Sequence, residues 1–216
     1  MFIGHYSAAF VAAAHPKAPR LGTLFVAAQL VDIGFFSFVL AGVEHMRIAP
    51  GFTAMNGMDL YDMPITHSLV GSLAWAAAFA LVLKAWLKDW TAGLIGGAVV
   101  LSHWVLDVLV HGPDMSIAGG APKFGLALWN HPLIEMPLEL ALIIGSIWIY
   151  VGATKPVKVS AALPVASALL FILQLYNWFG PQPVTLDASM PITALVAFAV
   201  CTSLAYWLGR SRSIAP

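Results

Sequence analysis

Six apolar segments, each about long enough to cross a bilayer, dominate this sequence. They cover residues 21–43, 66–87, 91–111, 132–153, 160–179 and 190–208. About 20 apolar residues in a helix span the roughly 30 Å hydrocarbon layer. Of the 216 residues only 9% are charged, whereas a soluble domain carries about 25%. The sequence therefore predicts an all-α, polytopic helical membrane protein with about six transmembrane helices.

A shorter apolar segment at residues 2–14 precedes these spans. It is too short to cross a membrane alone and is expected to form a membrane-embedded helix, with Pro16 and Pro19 in the turn after it. We expect a single membrane domain over residues 1–216. Residues 1–153 would carry the functional site, and residues 154–216 would form a two-helix scaffold.

Basic residues predict the orientation of the spans. Eight of the ten lie before the first span, between the second and third, after the fourth or after the sixth: Lys17, Arg20, Lys84, Lys88, Lys155, Lys158, Arg210 and Arg212. Only Arg47 and Lys123 lie on the other side. Because basic loops stay cytoplasmic, both ends of the span array are predicted to be cytoplasmic, and residues 44–65 and 112–131 face outward. The formal net charge is zero, so no nucleic-acid partner is expected.

The third span carries three metal-ligand types on one face. His103, Asp107 and His111 follow one another at steps of four residues, which a helix brings to one side. Imidazole and carboxylate both suit zinc and its neighbours, and a lone cysteine, Cys201, excludes a cysteine-rich site. The alternative for His103 and Asp107 is a buried hydrogen bond that holds helices together. His111 is either a ligand or a loop residue, and Asp114 is a cap, a turn residue or a partner that orients a histidine.

Depth in the membrane connects this stripe to other segments. A rise of about 1.5 Å per residue places His5 and Asp32 roughly 18 Å from their cytoplasmic ends, and His103 near 20 Å. Asp107, His67 and Glu139 come out near 25 Å. Ionisable groups inside a membrane indicate function by default. We predict a metal site in the outward half of the membrane, with ligands His5, Asp32, His67, His103, Asp107 and His111.

Glu139 and Asp114 are the candidate catalytic residues. The predicted cofactor is one or more divalent metal ions, zinc first, with manganese or iron as alternatives. Thr66 and Ser68 are expected to support His67 by hydrogen bonds. The remaining polar residues near the site are expected to be loop or surface groups: Glu44, His45, Asp59, Asp62, His131 and Glu135.

Several of these motifs are similar to a known family. Gly4-His5, Asp32, Thr66-His67-Ser68 and Ser102-His103-x-x-x-Asp107 resemble the bacterial inner-membrane "membrane-bound metal-dependent hydrolase" family over roughly residues 1–150. A subgroup of that family also looks similar in Arg47-Ile-Ala-Pro-Gly51, His111-x-Pro-Asp114, Trp129-Asn130 and Glu139. The family's usual His-Arg-Gly before Thr-His-Ser is replaced by Tyr61-Asp-Met-Pro. The resemblance implies a multi-pass protein of the bacterial inner membrane with a metal-dependent hydrolytic site.

A more remote similarity is to zinc-dependent phospholipase C and the single-strand nucleases that share its helical fold. Their order of metal ligands is matched by His5, Asp32, His67, His103, Asp107 and His111. The closing His-x-x-x-acid of those proteins would fall on His131 and Glu135, which the depth argument places near the surface. This similarity implies that more than one metal ion binds.

Three hypotheses for function follow. The first is a membrane-embedded metal-dependent hydrolase that acts on a lipid or amphipathic phosphoester or ester from the outward half of the membrane. The second is a permease or ion-coupled transporter that uses the same His, Asp and Glu groups for protons or metal ions. The third is a haem protein with two axial imidazoles, for example His67 and His103.

Overall fold

Helices make up most of the chain in a computed structural model, which describes residues 1–215. A 3₁₀ turn at Ile3–His5 leads into α1 (Tyr6–Ala13), and α2 (Leu21–Ala41), α3 (Leu69–Leu87), α4 (Trp90–Val110), α5 (Pro132–Ala153), α6 (Ala162–Phe179) and α7 (Ser189–Ser211) follow. The last six of these helices, α2 to α7, are long and apolar enough to cross a membrane. The prediction of an all-α, multi-pass membrane protein is confirmed.

Local capping decides where the site-bearing helices begin and end. The Ser68 hydroxyl accepts the Gly71 N–H at 3.0 Å, so α3 starts at Leu69 and His67 precedes the helix rather than lying on it. His111 is the extended residue that follows α4. Both histidines therefore sit at helix ends, where the backbone can turn them toward the interior.

The segments between the spans hold short antiparallel hairpins. β1 (His45–Ile48) pairs with β2 (Met58–Asp62), with Arg47 opposite Asp59. β3 (Met115–Ser116) pairs with β4 (Lys123–Phe124), and a 3₁₀ turn at Leu128–Asn130 follows. At the opposite end of the helices, β5 (Thr154–Pro156) pairs with β6 (Arg212–Ile214). These hairpins satisfy backbone groups where the chain leaves the helices.

Close packing of α3 on α4 depends on small residues. A Cβ on Gly93 would lie 2.6 Å from the Ala80 carbonyl oxygen, and one on Gly97 would lie 2.9 Å from the Ala76 carbonyl oxygen. Glycines at these contacts allow the two backbones to approach, which is how membrane helices gain packing energy without a hydrophobic driving force. The approach fixes α4, and with it His103 and Asp107, against the start of α3.

Two apolar clusters enclose a polar layer. One contains Tyr6, Phe10 and Phe25, and the other contains Phe35 and Met63. Helix α2 contributes to both, with Asp32 between Phe25 and Phe35 in sequence. Helix α1 packs among α2, α4 and α5, which places the preceding residue, His5, inside the protein.

Candidate metal centre

Side chains from four segments meet in the polar layer around Asp107. His5 Nε2 lies 3.1 Å from Asp107 Oδ1, and His103 Nε2 lies 3.0 Å from Asp107 Oδ2. His67 Nε2 lies 3.3 Å from Asp32 Oδ1 and 3.6 Å from Asp107 Oδ2. Five residues that the sequence predicts as ligands are thus brought together: His5, Asp32, His67, His103 and Asp107.

Two triads in this cluster have metal-ligand geometry, and they share a histidine. His5, His103 and Asp107 form one, and Asp32, His67 and His103 form the other, with the ligand atoms of each within 4.8 Å of one another. His103 Nε2 also lies 3.4 Å from Asp32 Oδ1. A single Nε2 lone pair binds a single ion, so His103 can serve only one of the two positions at a time.

The distances between these atoms match those between ligands of a common ion. Ligands about 2.1 Å from a metal lie about 3.0 Å apart on the edges of an octahedron and about 3.4 Å apart on those of a tetrahedron. The nitrogen-to-oxygen separations around Asp107 and Asp32 run from 3.0 to 3.6 Å. The cluster could therefore hold a metal ion without large rearrangement.

The other ring nitrogen of His103 fixes its tautomer. His103 Nδ1 donates to the Ala28 carbonyl oxygen at 2.8 Å, and a carbonyl can only accept. In the neutral ring this leaves the Nε2 lone pair facing Asp32 and Asp107.

His67 is oriented by a relay through Thr66. The Thr66 hydroxyl donates to Glu44 Oε2 at 2.6 Å, so its lone pair accepts from His67 Nδ1 at 2.8 Å. The same Glu44 carboxylate accepts the backbone N–H groups of Ile65 and Thr66 at 2.7 and 2.9 Å. A carboxylate that orients a ligand histidine in this way is the usual support of a metal site.

His111 and Asp114 form the rim of the cluster. His111 Nδ1 donates to Asp114 Oδ1 at 3.0 Å, and His111 Nε2 lies 3.6 Å from Asp107 Oδ1. Asp114 therefore orients a histidine, which is one of the roles that the sequence left open for it.

Several atoms at the centre have no hydrogen-bond partner. His5 Nε2, His103 Nε2 and Asp107 Oδ2 are buried without one among the described residues, although oxygens of Asp107 lie only 3.0 to 3.1 Å from the two nitrogens. Buried polar atoms without partners are costly, and atoms that converge on a point between them are what a bound cation would satisfy.

Glu139 lies outside this cluster. Its Oε1 accepts the backbone N–H groups of Phe2 and Gly4 at 2.7 and 2.8 Å, and its Oε2 accepts Gln174 Nε2 at 2.7 Å. The predicted catalytic role is not what these contacts support, since Oε1 holds the N-terminal segment and Oε2 holds the Gln174 amide. Glu139 lies at the depth of the cluster because the segment that it holds carries His5.

Accessibility differs across the cluster. The side chains of His5, His67, His103 and Asp107 are at most 2% exposed, whereas that of Asp32 is 19% exposed. Two surface cavities, one beside Arg20 and one beside Lys158, lie away from the cluster. A small molecule can therefore reach the ligands from the side of the cluster where Asp32 lies.

Three residues differ from their sequence-based expectations. Asp59, expected as a loop or surface group, is 6% exposed and accepts from Arg47 Nε at 2.6 Å. Glu44, expected as a loop residue without a role, is fully buried and supports Thr66. Glu135, expected near the surface, is 1% exposed, and its Oε2 has no partner among the described residues. Distance along the membrane normal does not reveal whether neighbouring elements cover a side chain.

The fold and the site define a multi-pass helical membrane protein with a buried His/Asp cluster that could hold a metal ion. No family model, curated protein or solved structure matches this chain.

Proposed function

We propose that this protein is a membrane-embedded metal-dependent hydrolase whose centre is the cluster around Asp107. The observation that carries the proposal is the buried set of His5 Nε2, His103 Nε2 and Asp107 Oδ2, which lie close together and have no hydrogen-bond partner among the described residues. A cation between these atoms would satisfy them. Zinc suits this nitrogen and oxygen donor set, and manganese or iron are alternatives.

The exposure of Asp32 favours catalysis over a purely structural site. Structural zinc sites are closed by protein ligands, whereas catalytic sites keep a position open. The triad of Asp32, His67 and His103 borders the accessible side, so it is the position where water and substrate would meet. A bound divalent ion would lower the pKa of a coordinated water towards about 7 and polarise a phosphoryl or carbonyl oxygen.

The residues of the cluster would position the ligands and accept the proton. Asp107 and the three histidines hold the donor set in place, and Glu44 and Asp114 fix the orientation of His67 and His111 through their Nδ1 contacts. In hydrolysis, the oxygen of water would bond to the phosphoryl or acyl centre as that centre's bond to the alcohol oxygen breaks, and a proton from the water would end on the departing alcohol oxygen. Asp32, the most exposed carboxylate of the cluster, would be the group that relays this proton.

The lipid bilayer sets the class of substrate. The cluster lies on membrane-spanning helices at a level reached about 16 Å along α2 from Leu21, so a substrate with a reactive ester and an apolar portion fits its position. We propose a lipid or amphipathic phosphoester or ester in the bacterial inner membrane, approached from the outward half.

The proposal is tested by elemental analysis of the purified protein and by hydrolysis of short-chain phosphoester and ester substrates in detergent. Wild type is expected to carry zinc, manganese or iron and to hydrolyse at least one substrate class. Asp107→Asn keeps the side-chain shape but removes the charge, and is expected to lose metal and activity together. Asp62→Asn is the matched control, because Asp62 pairs with His45 on an exposed hairpin. A wild-type protein without these metals rules out the metallohydrolase.

A further inference from the structure

A second candidate site lies at the opposite end of the helices from the hairpin of β1 and β2. A cavity of about 180 Å³ opens where α2 begins and where α5 and α7 end, and it is lined among others by His15, Arg20, Leu21, Thr154 and Arg212. The stretch of α2 from Leu21 to Asp32 separates it from the metal cluster by about 16 Å. The two features are therefore independent.

The charged side chains that line this cavity are both positive, with that of Arg212 half-buried and that of Arg20 exposed. Arg20 and Arg212 both line it, and its lining contains no Asp or Glu. Within residues 1–215, the ion pairs with acidic groups include neither arginine. A partly buried guanidinium without a carboxylate partner leaves a cation for an external anion to neutralise.

Arg212 is held in position by neutral acceptors. Its Nε donates to Thr154 Oγ1 at 2.8 Å, and its Nη2 donates to the carbonyl oxygens of Thr154 at 2.7 Å and Val151 at 3.1 Å. These bonds fix the plane of the guanidinium but do not cancel its charge. A pre-oriented guanidinium loses little entropy when it binds a phosphate or carboxylate.

Further donors face the same space. Arg20 is the residue before α2, and no side chain caps the first turn, so the N–H groups that begin at Leu21 have no intrahelical partner. The N-terminal end of a helix attracts anions. His15 Nδ1 accepts the Lys17 N–H at 3.1 Å, which leaves the proton of a neutral ring on Nε2. Arginine, imidazole N–H and backbone N–H together form a donor set for an oxyanion.

We propose that this cavity binds a phosphate group. Two guanidinium groups suit a tetrahedral anion with several acceptor oxygens, and the volume equals about six water molecules at roughly 30 Å³ each. The phosphate comes either from an anionic phospholipid headgroup or from a soluble phosphate compound. Basic pockets between membrane helices are suited to lipid phosphates.

The experiment uses the full chain in lipid nanodiscs, with two probes. Inorganic phosphate is titrated calorimetrically into nanodiscs of phosphatidylcholine alone. Native mass spectrometry then measures retention of phosphatidylglycerol by protein taken from mixed phosphatidylcholine and phosphatidylglycerol membranes. Saturation by phosphate assigns the site to a soluble phosphate, and selective retention of phosphatidylglycerol alone assigns it to the headgroup.

Arg20→Gln is the test variant, because the Arg20 side chain makes no hydrogen bond or ion pair among the described residues, and the variant keeps the Arg20 carbonyl that accepts the Leu24 N–H. It is expected to weaken binding of the successful probe by about tenfold or more, the usual effect of losing a charged hydrogen bond. Arg20→Lys, which keeps the charge, should recover part of the binding. Lys17→Gln is the matched control on the same segment, since Lys17 does not line the cavity.

The proposal fails if neither probe binds saturably. It also fails if Arg20→Gln and Lys17→Gln weaken binding equally, because that result describes a diffuse basic face. Should Arg20→Gln not fold, Arg20→Lys must bind more weakly than Lys17→Gln for the proposal to stand. Metal content, measured in the same preparations, keeps this result separate from the hydrolase proposal.

Discussion

The imidazoles of His5 and His103 stack face to face, with ring centroids 3.7 Å apart and an angle of 7° between their planes. Two unit charges about 4 Å apart repel by about 4 kcal/mol at an effective dielectric constant near 20. The two rings are therefore not both in the charged imidazolium form. At least one of them is a neutral imidazole, which can bind a metal ion through a ring nitrogen, and Asp107 lies 3.0 to 3.1 Å from both.

Replacing His5 with phenylalanine separates the effect of ring stacking from that of metal ligation. His5→Phe keeps an aromatic ring against His103 but removes the nitrogen that faces Asp107, so we expect the protein to fold and metal affinity to fall more than about 100-fold. Metal titration with a competing chelator measures the loss. His15→Phe, outside the cluster, should bind metal as wild type does. Unchanged metal binding by His5→Phe would show that the stack is structural.

The relay from His67 to Glu44 gives a second prediction. Thr66→Val keeps the shape of the side chain but deprives His67 Nδ1 of its acceptor, and we expect metal affinity to fall about 10- to 100-fold. Thr66→Ser keeps the hydroxyl and should bind metal within a few-fold of wild type. If valine and serine behave alike, the hydroxyl does not orient His67.

Glu139 is expected to control His5 from a distance. Glu139→Leu leaves the N–H groups of Phe2 and Gly4 and the amide of Gln174 without their acceptor, which should destabilise the protein by about 2 kcal/mol or more. Metal affinity should fall with it, because the residues before α1 position His5. Thermal unfolding in detergent and metal titration measure the two effects.

Gly4→Ala tests the contact between Glu139 and the N-terminal segment by changing the segment. A Cβ at Gly4 would overlap Met1 Sδ and lie 3.2 Å from Glu139 Oε1, so the buried Met1 side chain must move and the contact with Glu139 must lengthen by a few tenths of an ångström. We expect weaker metal binding with Asp32, His67, His103 and Asp107 intact. Gly145→Ala is the control, since a Cβ there meets nothing within 4 Å. Equal losses of metal affinity in the two variants would show that the contact of Glu139 with the N-terminal segment does not position His5.

Cysteine labelling tests the orientation of the helices in the membrane. The native thiol, Cys201, is buried, so background labelling should be low. We expect Ala54→Cys, in the loop between β1 and β2, to react with an impermeant reagent added outside intact spheroplasts. Lys88→Cys, between α3 and α4, should react only after lysis. The reverse pattern would invert the predicted topology.

Sequence periodicity and depth identify the convergence of His5, Asp32, His67, His103 and Asp107, because each lies on a helix or next to the end of one, which fixes its depth. They do not fix the lateral direction of a side chain. Glu139 shares the depth of the cluster but faces Phe2 and Gly4. Only the packing of α1 between α2 and α5 decides that difference.

Glu44 shows a different limit. It follows α2 directly in sequence and resembles an ordinary loop acid, yet it is fully buried against Thr66. Its partner lies 22 residues away in sequence, across the β1–β2 hairpin that brings the end of α2 next to the start of α3. Short strands between membrane spans give a weak pattern, so neither the hairpin nor this contact is predictable from the apolar segments alone.

The contacts that hold the N-terminal segment against α5 and α6 also bear on the order in which the protein assembles. Phe2 and Glu139 are 137 residues apart, and Ile3 and Gln174 are 171 apart. A nascent chain that has inserted only α2 to α4 already carries Asp32, His67, His103 and Asp107, and His5 can stack on His103, but the contacts of the N-terminal segment with Glu139 and Gln174 are not yet made. We therefore expect His5 to be fixed in the cluster only after α5 and α6 have joined the bundle.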